Sequence, residues 1–313
     1  MDFRATVKQK FPRPVAELLR RMYWTLRTRA DFRADRKRYR RYAMVAESSY
    51  GKLNGVHHEA QVTRDYHRVE KGLALPDPRR PFGQELLGRL DDLVPGDGLR
   101  ERETRPYLVA ASTARAALLE WNAGGEPSDE VAPIRPTASR LDSIDALFAT
   151  RHSVRNYDGR PVEDTLLDRA TELAAMSPSV CNRAPWHVRY YHGAEAHRVL
   201  GYQFGNGGFR ETVPAIAVVS VELGLFAGSG ERNQAWIEGG IFATSLLWAL
   251  HGLGLDTCML NLSLTGPQAR DFRRATNMRE SELPIVVIAI GYGTPGHRVA
   301  RSPRRPTSDI RLN

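Results

Sequence analysis

Arg151-His152-Ser153-Val154-Arg155 places two guanidiniums, an imidazole and a hydroxyl in one short stretch, just ahead of a turn at Asp158-Gly159. Guanidinium forks bind phosphate through paired N–H donors, and a hydroxyl adds a further short hydrogen bond. If residues 151–155 form a turn before a core helix, Arg151, Ser153 and Arg155 can converge on one anion. A solvated arginine-rich turn has the same composition, so the stretch alone leaves both readings open. A second cluster, SPSVCNRAPWH at 177–187, has the Ser, Pro and Asn of a tight polar loop, with Asn182 offering donor and acceptor and Trp186 read as a core anchor. In a third, HGLGLDTCMLNLS at 251–263, an apolar helix stops at glycines and a buried strand follows, whose backbone can approach a flat ring closely. The fourth, RSPRRP at 301–306, reads as an anion ligand or as an ordinary basic tail.

The elements that must position these clusters fall into two textures. Residues 1–120 read as a basic, mainly helical extension, 121–144 as a linker or surface-hugging strap, and 145–313 as the domain that carries the chemistry. In the extension, Leu18, Leu19, Met22, Tyr23 and Leu26 form one helical stripe, expected to pack on the protein's own core, with an anionic membrane surface as the alternative. Further helices are expected around 55–70, 83–93 and 107–121. Beyond the Gly/Pro/Ser-rich stretch 122–139, helices at 163–176, at 233–252 and from 266 alternate with strands near 186–191, at 215–223, through LDTCML and through PIVVIAIGYG. Apolar, β-branched runs ended by glycine mark buried strands. The class is α+β: a layered sandwich with a central mixed sheet flanked by helices.

Bulk properties narrow the function. The net charge of +9 sits in residues 1–50, with 14 basic against 5 acidic side chains, while the remainder holds 31 of each. A neutral body argues against nucleic acid as partner, and the basic arm of residues 1–45 is a candidate for peripheral membrane contact. No apolar run is long enough to span a bilayer, and the opening residues show no secretory pattern. Cys181 and Cys258 are too few for a disulfide framework or a four-cysteine metal site. The reading is a reduced, cytoplasmic protein.

In chain order the motifs are R-[RH]-S-x-[RK], S-P-S-x-x-N-x-x-P-W, G-L-G-L-x-T-C, a strand ending Ile290-Gly291-Tyr292, and a basic Pro303-Arg304-Arg305-Pro306. This order resembles the FMN-dependent nitroreductase family over about residues 145–313. The resemblance implies FMN as cofactor and NADH or NADPH as reductant. Hydride would pass in ping-pong fashion to an organic acceptor: a nitroaromatic, a quinone or a specific biosynthetic substrate. It implies that Arg151, His152 and Ser153 hold the FMN phosphate, ribityl and ring edge, and that Arg155 stabilises negative charge at the pyrimidine side of the ring. Pro178, Ser179 and Asn182 match the loop that reaches the partner subunit's flavin, and Asn206 a ribityl ligand. Met259, Leu260 and Asn261 match the segment along the ring near N5, and Arg304, helped by Arg301, a phosphate ligand. No acid–base side chain and no metal is required. The sequence departs from the family pattern at Ala184 (often Gln), Val180 (often Ser) and Phe209 (often Lys), which bears on substrate and NAD(P)H contacts more than on the flavin.

The helix around Gly239-Gly240 is apolar almost all round and matches the centre of a family homodimer with flavin sites at the interface. Glu238, buried within it, has no role assigned from sequence. His67, Glu70 and Lys71 share one helical face as an ion-paired surface or a lid over the flavin. His57 and His58 read as surface residues, and Cys258 as a packed, inert thiol. Two other functions stay open: a flavin dehydrogenase or dehalogenase specialised for one pathway substrate, and a flavin-binding interaction protein docked through its basic arm.

Overall fold

The computed structural model describes residues 12–42, 55–94, 105–135, 143–180, 183–226, 229–264 and 266–312. Four helices come first: α1 (Arg13–Tyr42), α2 (Gly55–Leu73), α3 (Gln84–Leu93) and α4 (Pro106–Asn122). On α2, Val62, Tyr66, Val69 and Leu73 recur at helical spacing and are buried against Leu90 of α3 and Ala111 and Leu118 of α4. Each such aliphatic side chain removed from water contributes about 1.5–3 kcal/mol. Buried Asp65 of α2 accepts from Arg89 of α3 at 2.9 and 3.1 Å and from Gln61 at 2.7 Å, so this buried carboxylate is paired.

Helix α1 departs from expectation. Leu18, Met22, Leu26 and Phe32 are more than half exposed, and among the described side chains of the helix only Ala16 is buried. Among the described residues, Leu18, Met22 and Leu26 of the stripe do not pack on the chain's own core; α1 meets the body through the turn at Ser229–Glu231. His58 also differs: its ring bonds Leu93 O at 2.8 Å and Tyr107 OH at 3.3 Å, tying α2 to α3 and α4. The His57 side chain lies outside the described residues.

The second half holds α5 (Ile144–Thr150), α6 (Asp164–Ala174), β1 (Trp186–His192), α7 (Gly193–Leu200), β2 (Ala215–Glu222), α8 (Gln234–Gly252), β3 (Asp256–Asn261), α9 (Gly266–Ala275), β4 (Glu282–Gly291) and the short α10 (Thr307–Ile310). The strand order is β1-β2-β4-β3, and every adjacent pair is antiparallel. The expected mixed sheet is thus an antiparallel one; its parallel element is a single bridge, Ser153 to Thr257. Continuous apolar runs report burial of both faces, not strand direction. On β2, Ala215, Ala217 and Val219 face α6 and α8, while Ile216 and Val218 face the α7 and α9 side.

Between the halves, residues 131–135 run as a strap beside 297–301. Arg135 N donates to His297 O at 2.8 Å, Val299 N to Pro133 O at 2.9 Å and Arg301 N to Val131 O at 3.3 Å. Beneath it Arg135 pairs with buried Asp256 of β3 at 2.5 Å, and Asp256 also accepts from Gly293 N at 2.8 Å.

Candidate functional site

Helix α5 aims the first motif. Ser143 caps it by accepting from Ala146 N at 3.0 Å, and the chain leaves it at Arg151 in extended conformation. At its end Thr150 Oγ1 donates to Ala146 O at 2.7 Å and meets His251 Nε2 of α8 at 3.0 Å, anchoring this exit on the dominant helix. Val154 N then donates to Thr257 O at 2.9 Å, so residues 153–155 run as a short strand beside β3.

Next to this strand opens a cavity of about 930 Å³. Arg151, His152 and Ser153 form one wall, Ala300 to Arg304 the opposite one, and Phe148 and Trp248 an aromatic side. Arg151 lies over the Trp248 ring at 5.6 Å. Burial, and then the facing charge of Arg304, hold its guanidinium below the usual arginine range. Burial also pushes the His152 imidazole down, helped by Arg135, Arg151, Arg304 and His297, so the neutral ring is favoured. Two arginines, a neutral imidazole and a hydroxyl around one water-accessible cavity are donors of the kind that bind a phosphate dianion.

Arg155 does not join this cluster. It is 9% exposed and stands on the other side of the extended segment, with Nη1 on Ser153 O at 3.3 Å and a buried Nε that has no partner. Buried Thr257 Oγ1, one bridge away, is likewise unpaired. The orphaned Arg155 N–H is a donor that a ring bearing carbonyl and imine acceptors would satisfy. The Arg151-to-Arg155 cluster therefore makes two cationic stations, not the single convergence that its spacing allows. Cys258 lies between them, and burial pushes its thiol up, which leaves it unreactive.

The other expected residues scatter. Met259 and Asn261 point outward from β3, and Asn261 donates to Ser263 Oγ at 2.8 Å, whereas Leu260 turns into the core, so a ring laid along the strand meets Leu260 through main chain alone. Arg301 and Arg304 line the cavity. Pro178 is exposed, and Ser179 Oγ accepts from Ala184 N at 3.0 Å; neither lines the cavity. Asn182 lies outside the described residues. Asn206 is a correction. Its side chain is fully buried, donating to Leu200 O at 2.7 Å and Gln203 O at 2.8 Å and accepting from Arg210 Nε at 3.0 Å, so it braces its own loop and has no donor left for a ribityl chain.

Three participants have a different sequence signal or none. Glu238, buried in α8, accepts from Val180 N at 2.8 Å and holds the 177–180 loop on that helix; a carboxylate in an otherwise apolar helix is the signal that finds it. Arg135 sits in a Gly/Pro-rich stretch where nothing in the sequence marks it. Lys71 of α2 reaches across to donate to Gly205 O at 2.6 Å, beside Arg155 and Cys258; its spacing with His67 and Glu70 is visible, but its destination is not.

Residues 148–206 match the nitroreductase family model. The protein named "Putative NADH dehydrogenase/NAD(P)H nitroreductase" of Methanothermobacter thermautotrophicus is 26% identical over 170 residues, covering 53% of this chain and 86% of that protein. Among solved structures, a nitroreductase family protein from Streptococcus pneumoniae is 14% identical at a TM-score of 0.49, covering 55% of this chain and all of the other. A Desulfovibrio desulfuricans chain described as "a putative nitroreductase in complex with fmn" is 19% identical at a TM-score of 0.46, covering 57% of this chain and 98% of that one.

Proposed function

We propose that the protein is an FMN-dependent oxidoreductase of the nitroreductase family, whose model matches residues 148–206, and that it uses NADH or NADPH to reduce an organic acceptor. The observation that carries this reading is the meeting of Arg151 and Arg304, from opposite ends of the domain, across one cavity walled by His152 and Ser153. In this reading the two arginines take the FMN phosphate, with Arg301 at the rim. Arg155 supplies an unpaired donor to the ring, and Met259 and Asn261 border it along β3. The chemistry that FMN supplies when bound is two-electron exchange between a reduced nicotinamide and the acceptor. The chain's part is to hold the ring, shield it and keep positive charge near its electron-rich edge.

A homodimer belongs to the same reading. Trp236 and Ile237 of α8 are more than half exposed, and Gly240 has open space where a side chain would stand. These line up on the outer face of the most apolar helix, where a second copy would cover them. The loop at 177–180, fixed by Glu238, then borders the neighbouring copy. The exposed α1 stripe, flanked by Arg13, Arg20, Arg21, Arg29 and Arg33, could instead meet an anionic membrane; salt-sensitive binding to anionic vesicles, lost on deleting residues 1–45, tests that contact. No helix among the described residues is long and apolar enough to cross a membrane.

The primary test is an absorbance spectrum of the purified protein before and after FMN, followed by anaerobic NAD(P)H titration. A flavin band that stays with the protein and bleaches on titration is expected. Protein that remains colourless after FMN and dialysis defeats the proposal.

A further inference from the structure

Helix α2 lies outside the segment that matches the family, yet it enters the site. Its C-terminal end sends Lys71 to Gly205 O at 2.6 Å, and the following Leu75 packs so closely on Gly208 that a Cβ there would stand 2.9 Å from Leu75 Cδ1. The loop thus gripped is itself tied to β3, because Gln203 Nε2 donates to Asn261 O at 3.1 Å. Phe209, on the same loop, is buried in the core and presents no charge.

Among the described residues, Lys71 and Arg155 stand together without a counter-ion. One Lys71 donor is used by Gly205 O, and no carboxylate among the described residues pairs with either side chain. Burial, and then the Arg155 charge, push the Lys71 ammonium below its usual range. A buried and a half-buried like charge oppose each other and forgo hydration, and an electron-rich guest between them offsets both costs. The unpaired Arg155 Nε, beside Lys71, asks for an acceptor, not for another cation.

We propose that Lys71, delivered by the N-terminal helical region, is a positioning and charge-stabilising residue of the flavin site, which pairs with Arg155 at the pyrimidine edge of the ring. The extension is then part of the cofactor site. This rests on the functional reading above, and the experiment separates the two.

In the full-length protein, Lys71→Met keeps the length of the side chain and removes its charge, and Lys71→Arg keeps the charge. FMN affinity is read by quenching of flavin fluorescence, and the midpoint potential by dye-coupled reduction. With Lys71→Met, reduced FMN should be held about tenfold less tightly relative to oxidised FMN, which places the midpoint about 30 mV more negative. Lys71→Arg should recover most of this. A Lys71→Met protein that binds FMN at the wild-type potential overturns the proposal and leaves the functional reading standing. A wild-type protein that takes up no FMN overturns both. Acetylation of Lys71 in the wild-type chain, followed by mass spectrometry, needs no variant: FMN should slow it several-fold, and an unchanged rate overturns the proposal.

Discussion

Replacing Arg151 by methionine separates what this side chain does for the fold from what it does for a phosphate. In the free protein its guanidinium is half-buried, faces Arg304 and rests on Trp248. Removing it forfeits a cation–π contact of about 0.5–1 kcal/mol but also removes a desolvated charge and a like-charge neighbour. These oppose each other, so thermal stability of the free chain should change by less than about 1 kcal/mol. With ligand the balance shifts. A charge-assisted contact to phosphate contributes about 1.5–3 kcal/mol, or about 10- to 150-fold in affinity. Riboflavin has the same ring and no phosphate, so only FMN should feel the loss. The assay is a pair of fluorescence titrations, FMN and riboflavin, on wild type and Arg151→Met. The preference for FMN should shrink by the factor above, and less so at high salt, where the wild-type contact is already screened. Equal weakening of both ligands, or a free chain destabilised by several kcal/mol, would refute a phosphate seat at Arg151.

Two further changes probe the scaffold. Burial pushes the Glu282 carboxyl up, but hydrogen bonds from Arg189 at 2.7 Å, Ser220 at 2.6 Å and Arg279 at 3.0 Å override it and hold the group well below the usual carboxylate range. A depressed carboxyl stabilises the fold above its unfolded pKa and loses that contribution as pH falls; Glu282→Gln should therefore cost about 3 kcal/mol in urea unfolding at neutral pH, narrowing below about pH 4. At Gly239 a Cβ would stand 2.5 Å from Ile285 Cγ1, so Gly239→Ala should cost about 1–3 kcal/mol, and Ile285→Ala in the same chain should make the double variant less destabilised than the sum, as read by denaturant midpoints.

Much of the architecture was legible from pattern. Helices α2 to α4 and all four strands lie within a few residues of where periodicity and apolar runs place them, because a buried face must recur at the repeat of its own element. Strand direction was not, since runs such as AIAVVSV in β2 report two covered faces whichever way the neighbours run. Nor was the fate of α1: a stripe at helical spacing states that one face seeks cover, and not whether this chain provides it. Asn206 shows the same limit at the scale of one residue. An amide in a glycine-rich loop can serve a ligand or its own turn, and the carbonyls of Leu200 and Gln203 decide for the turn.

What the sequence determined by itself is therefore the inventory: basic clusters, glycine-ended strands, an apolar helix with one carboxylate, and an arm that holds the excess charge. Local rules of spacing and polarity act on neighbours along the chain, and these features need no others. Tertiary structure alone decided which members of that inventory meet. It divided Arg151 from Arg155, set Arg304 across from the former, and brought Lys71 from a remote helix to the latter. Such pairings depend on how layers stack and loops return, where the energy lies in contacts between residues that no local pattern relates.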